Sequence, residues 1–282
     1  MRQILLTLLL VAITGCGPDT KPEGQPAAPK EPAAAMEAPN GSDEPSAKAG
    51  VSIVNSIGMR FVPIQAGTFT MGVLKYEGED QKAHQVTLTQ AFELGVYEVT
   101  QEQYEKVMGT NPSNFKGPQN PVEKVSWDDA VEFCRKLSEL PAEKKAGYVY
   151  RLPTEAEREY ACRAGTTTTY SFGDSDSELG EYAWYDKNSG KTTHPVGGKK
   201  PNAWGLYDMH GNVWELCQDW YGKYPSGSTT DPTGAASSSG RVYRGGGWLS
   251  LSDYCRSAIR YGLAPARRVN RLGFRVLRSS IK

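Results

Sequence analysis

Apolar and polar positions divide this chain into three stretches of different character. An apolar run from Ile4 to Ile13, broken only by Thr7, follows Arg2. It is too short to span a bilayer and has the layout of a signal peptide, so residues 1–16 are expected to lie outside any fold. Residues 17–50 hold no aromatic residue and no Ile, Leu or Val, while Pro, Ala, Glu, Lys and Ser dominate. Such a stretch cannot bury enough apolar surface to offset its ordering entropy, which predicts a semi-extended spacer. Periodic patterning begins near Val51 and runs towards Lys282, a length that one domain can occupy.

Within residues 51–282 the pattern alternates between strand and helix periods. Asn55 to Gly72 mixes β-formers with glycines at turn positions and predicts two short strands joined by a turn. His84 to Thr89 sets Val86 and Leu88 among polar neighbours, the period of a half-buried strand, and Ala91 to Val99 is expected to continue that sheet. Three helix starts carry capping-box spacing: Thr100 with Gln103, Ser126 with Asp129, and Thr154 with Glu157. In the second, Ala130, Phe133, Cys134 and Leu137 form one apolar stripe. The third places Ala156 and Tyr160 one turn apart and is expected to stop by Gly165. Beyond Gly165 only turns and short apolar pieces are expected, so the fold class is α+β and loop-rich.

Composition narrows the picture. With 30 glycines and 18 prolines the chain is turn-rich, in keeping with that class. The 32 basic and 32 acidic residues cancel, and no basic stripe carries interleaved aromatics, which argues against nucleic acid as a partner. Ile13-Thr-Gly-Cys16 resembles the lipobox at which bacterial lipoproteins are cleaved and acylated. Cys16 is then a lipid anchor, and the mature protein is extracytoplasmic and attached to a membrane. In an oxidising compartment some of Cys134, Cys162, Cys217 and Cys255 could pair, and the sequence leaves all pairings open.

Longer motifs follow in order: Glu98-Val-Thr-Gln-Glu-Gln-Tyr104, Pro121 to Ala130, Arg151-Leu-Pro-Thr-Glu-Ala-Glu157, Pro201 to Glu215, and Arg241-Val-Tyr-Arg-Gly-Gly-Gly-Trp248 with Cys255 to Arg260 and Gly273-Phe-Arg275. Together they resemble the sulfatase-modifying factor family, that of the formylglycine-generating enzymes. The resemblance implies a C-type-lectin-like fold organised by aromatics and calcium. It also implies a copper oxidase chemistry in some members, with two cysteines five residues apart after the glycine turn.

Here the position of the first of those cysteines is Ser250, and only Cys255 remains at the second. A hydroxyl is a poor Cu(I) ligand, so copper is not expected. The resemblance places calcium at Asp208, Gly211, Val213 and Glu215, an oxygen-rich turn suited to a hard cation. A second family calcium site would fall near Ala183 and Trp184, where the expected amide is missing. The family's disulfide partners for Cys162 and Cys134 fall on Ser257 and Val276. Arg158 stands where the family has Trp, Arg271 replaces an asparagine near the substrate groove, and Arg260 and Arg275 match family arginines suited to buried pairing or to substrate contact. His84, His194 and His210 are too far apart in sequence for a helical metal pair. Two functions follow: a binding or structural module recognising protein or glycan, or an oxidoreductase converting a sulfatase cysteine to formylglycine through Cys255.

Overall fold

The computed structural model describes residues 53–73 and 81–280. The signal segment, Cys16 and the spacer lie outside the described residues.

Three sheets organise the domain. In the largest, β1 (Ile53–Val54), β2 (Arg60–Ile64), β5 (Phe92–Gly95), β12 (Leu277–Ser280) and β6 (Tyr148–Arg151) pair in that order. All its pairs are antiparallel, so the last strand of the domain inserts between two early ones. Successive residues of β2 face opposite ways: Phe61 enters one core with Phe133 and Phe274, and Val62 enters a second core with Leu94 and Leu277. A three-stranded sheet holds β3 (Gly67–Met71), β4 (His84–Leu88) and β8 (Thr229–Thr230). A four-stranded sheet orders β10 (Arg260–Leu263), β9 (Arg241–Arg244), β7 (Trp214–Trp220) and β11 (Leu272–Gly273).

Helices α1 (Gln101–Met108), α2 (Trp127–Glu139) and α4 (Glu155–Arg163) each begin with the capping box read from the sequence. Each box satisfies two backbone donors, which local chemistry fixes without help from the rest of the fold. The stripe of α2 is buried as expected, with Ala130, Phe133 and Leu137 at 0% exposure. Burial of Phe133 and Leu137 stabilises the fold by about 1.5–3 kcal/mol each, and Phe133 stacks on Tyr104 of α1 at 5.6 Å.

Most of the expected elements are present, with one correction, the sheet that β5 joins, and one addition, a short helix. The two short strands expected between Asn55 and Gly72 are present, β2 in the five-stranded sheet and β3 in the three-stranded one. Gly67 opens β3, and a Cβ at that position would lie 2.3 Å from the Tyr160 hydroxyl. Strand β5, however, leaves the sheet of β4 and ends at Gly95, whose Cβ would press on the Val276 carbonyl at 3.2 Å. A short helix, α3 (Pro141–Ala146), starts with proline at its first position, a helix-start signal the periodicity reading passed over. Helix α4 stops by Gly165 as expected, and Ala164 and Gly165 are both left-handed, with φ of 47° and 92°. The segment after Gly165 holds one further α-helix among the described residues, the four-residue α5 (Leu179–Tyr182).

Cys134, Cys162, Cys217 and Cys255 are all buried and unpaired. The Cys162 sulfur instead lies 3.8 Å from the His210 ring, which resolves the open question of a Cys162 to Cys255 bridge against pairing.

Candidate functional site

The motif from Asp208 to Glu215 forms a tight turn entering β7. Asp208 and Asn212 both take left-handed backbone, φ 58° and 60°, a conformation that short polar side chains tolerate. Gly211 is required at the turn's closest approach, since a Cβ would lie 2.4 Å from the Trp184 carbonyl. Asn212 locks the turn by donating to Glu98 at 2.7 Å, and the Val213 amide donates to the other Glu98 oxygen at 3.0 Å.

Beneath the turn lies a fully buried charge cluster. The Glu215 carboxylate receives Arg275 Nε and Nη2, both at 2.9 Å, and Arg158 Nη2 and Nε at 3.3 and 3.4 Å. Burial opposes ionisation of Glu215, but Arg158 and Arg275 outweigh it and hold the carboxyl below its usual range. Burial with the neighbouring Asp208 and Glu215 charges pushes Glu98 well up. Asp208 is pushed up to about 6, chiefly by burial. One of its oxygens accepts from the Gly197 amide at 2.7 Å, and the other, Oδ1, is buried without a partner.

This arrangement tests the expected calcium ligands. Asp208 Oδ1 is an available oxygen. Glu215 is not available, because both its oxygens are occupied by two guanidinium groups. As assembled, the set of Asp208, Gly211, Val213 and Glu215 does not fit a calcium ion, whose carboxylate ligands must approach to about 2.3–2.6 Å.

The position of the copper pair gives a similar result. Gly245 and Gly246 adopt φ of 100° and 78° and lead into Gly247, whose amide donates to Ser250 Oγ at 2.9 Å. Ser250 thus closes the glycine turn. Cys255 is 0% exposed and burial pushes its thiol up, so the one sulfur left is a protonated, inaccessible group. A hydroxyl and a buried thiol do not fit a soft two-coordinate metal site.

Next to Ser250 the surface opens. A cleft of about 340 Å³ is lined by Trp214, Tyr243, Leu249, Ser250, Leu251, Tyr254, Tyr261 and Arg271. Tyr243 and Tyr261 face each other across β9 and β10, and Trp214 of β7 meets both edge-on at 5.0 and 5.7 Å. Leu249, Leu251, Tyr254 and Tyr261 are each more than a third exposed, up to 57% for Leu251. Exposed apolar side chains scattered singly need no explanation, whereas here four gather around one cleft. A cavity of about 470 Å³ elsewhere, between Thr70 and Ile259, is larger, but the Arg163 in its wall spends its donors on Glu159, Thr168 and Gly72.

The structure therefore brings Ser250, Arg271 and the aromatics together and keeps the Asp208 to Glu215 cluster below them as support. Arg260 and Arg275 are buried pairing groups, on Glu155 and Glu215. His210 is buried, its Nε2 accepting from the Ser171 amide at 3.1 Å and its Nδ1 facing the Cys255 carbonyl at 2.8 Å. Sequence reasoning missed the wall formed by Tyr243, Tyr254 and Tyr261. Tyr243 lies in β9, Tyr261 in β10 and Tyr254 in the turn at Ser252–Cys255, so only the strand pairing brings them together.

Residues 54–280 match the family described as the sulfatase-modifying factor enzyme 1-like domain. The chain is 33% identical to the chaperone protein LppX of Paenibacillus barcinonensis, over 73% of this chain and 86% of that one. It is 29% identical to the formylglycine-generating enzyme of Bos taurus, over 94% and 85%. Among solved structures, Treponema denticola variable protein 1 superposes with a TM-score of 0.73 at 36% identity, covering 80% of this chain and 98% of that one. With the match spanning nearly every described residue, the chain belongs to the sulfatase-modifying factor family.

Proposed function

We propose that this protein is a lipid-anchored, extracytoplasmic binding module that grips an extended polypeptide in the aromatic cleft and does not oxidise it. The observation that carries this reading is the pairing of two facts at one place. The sulfur donors have been reduced to one buried thiol, and the surface beside them presents Tyr254, Tyr261, Leu249 and Leu251 over the buried Trp214. Aromatic rings with few rotatable bonds give contact area at low entropic cost, and Arg271 supplies a cation for an acidic group on the ligand. The likeness to a protein named as a chaperone supports a polypeptide ligand over a glycan. Cys16 supplies the anchor and residues 17–50 the distance from the membrane.

The test is peptide binding by the full-length chain, with Leu251→Ala and Tyr254→Ala as variants. Each is expected to weaken binding about tenfold, the size of a buried apolar or aromatic contact, with the melting temperature unchanged. Binding that survives both changes, or conversion of a sulfatase cysteine peptide to its aldehyde, defeats the reading. A glycan array that gives the stronger ligand replaces polypeptide with sugar.

A further inference from the structure

The Asp208 to Glu215 turn is tied at both ends by one cation. Arg158 projects from α4, fully buried, and its Nη2 donates to the Met209 carbonyl at 2.9 Å and to Glu215 Oε1 at 3.3 Å. Met209 begins the turn and Glu215 ends it, so the guanidinium bridges a main-chain carbonyl and a carboxylate, the two oxygen types a bound ion would draw together. The rest of the fold makes room for it. Gly245 has φ of 100°, and a Cβ there would stand 2.4 Å from Arg158 Nη2, so bare backbone at that position opens the space the guanidinium fills.

A dication bonded to Glu215 would lie against this buried positive group and compete with it for the same oxygens, and like charges at that range in a low-dielectric interior repel strongly. What the cluster lacks is also balanced. It retains one unpartnered donor, Arg158 Nη1, and one unpartnered acceptor, Asp208 Oδ1, which is not the surplus of oxygens that an ion site presents.

We propose that the Arg158 guanidinium stands in for calcium at this turn, so that the domain folds and holds its cleft without the metal. Trp214, one residue before Glu215, forms the cleft wall, so Arg158 is a positioning residue for the binding surface. The inference is independent of what the cleft binds.

The experiment uses the full-length chain, dialysed against EGTA and then titrated with calcium chloride alone. For the native sequence no saturable heat is expected, and the melting temperature should move by less than about 1 °C. Arg158→Gln removes the charge and leaves Glu215 to Arg275. That variant is expected to melt lower in EGTA and to regain about 5–10 °C when calcium exceeds its dissociation constant a hundredfold. Folding of this variant only in calcium supports the proposal equally. Saturable calcium binding by the native chain with a rise of several degrees overturns it, and so does an Arg158→Gln variant that folds and ignores calcium. If that variant folds in neither buffer, Arg158→Lys, which keeps the charge, is decisive: folding indifferent to calcium supports the proposal, and folding that needs calcium overturns it.

Discussion

Asp219 makes the stability of this domain depend on pH in a direction opposite to most paired carboxylates. It is 3% exposed on β7, and one oxygen accepts the Glu155 amide at the first turn of α4, at 2.8 Å. Burial, followed by the Glu155 carboxylate, pushes it up from 3.8 to about 7, against the pull of that amide and of Arg244. A raised acid binds a proton in the native state that the unfolded chain has released. Its contribution is therefore full below the unfolded value and is lost as pH climbs towards the folded one. A shift of about three units at ~1.4 kcal/mol each bounds the loss at roughly 4 kcal/mol. Asp219→Asn stays neutral at every pH and keeps an oxygen for the Glu155 amide. Because the unfolded aspartate is already ionised at pH 5, the advantage of asparagine should grow by roughly 2–3 kcal/mol between about pH 5 and pH 8. Urea midpoints of the two proteins at both values measure that growth. The other carboxylates titrate alike in both proteins, so they cancel from the difference. An advantage that stays constant within about 0.5 kcal/mol would mean that Asp219 is not protonated in the native state, and the argument would be refuted.

Other consequences follow from the same interior. Arg244→Met should cost at least about 2 kcal/mol, because it removes one of the two guanidinium partners of Glu155 and of Glu159, held at 2.7 and 2.8 Å, and leaves them to Arg260 and Arg163; a melting temperature within about 2 °C of the native chain would contradict this. Gly245→Ala should destabilise by at least about 2 kcal/mol, since it meets both a left-handed φ of 100° and the Arg158 guanidinium; denaturant unfolding reads it. Ser250→Cys restores the first cysteine position and should raise Cu(I) affinity at least tenfold in a competition assay; an unchanged affinity would refute the idea that the missing thiolate is what abolishes the site. Cys16→Ala should release the protein from the membrane fraction, and retention there would refute the anchor.

What the sequence disclosed and what it hid can be followed along α4. Its start was legible because a capping box closes between Thr154 and Glu157, three residues apart, and needs nothing beyond local backbone. Its environment was not legible. Glu155, Arg158, Glu159 and Arg163 are residue types that are mostly exposed, and the apolar pair visible in the sequence was Ala156 and Tyr160, one turn apart. The helix is in fact enclosed, with all four charged residues buried and Tyr160 only partly so. Arg163 pairs with Glu159 inside the helix, but the other two charges are compensated far along the chain: Glu155 by Arg244, 89 positions on, and Arg158 by Glu215, 57 positions on. Spacing rules see a window of about two turns, and a partner contributed by β7 or β9 lies outside any such window. The same limit applies at the site. The loss of a copper ligand was visible at Ser250, because it concerns one residue type at one position. Whether Glu215 could hold an ion depended on a guanidinium delivered by a different element, and only the assembled fold shows that Arg158 reaches it. Where a family's metal ligands persist in sequence, the cations that the fold places against them therefore decide whether the site still exists.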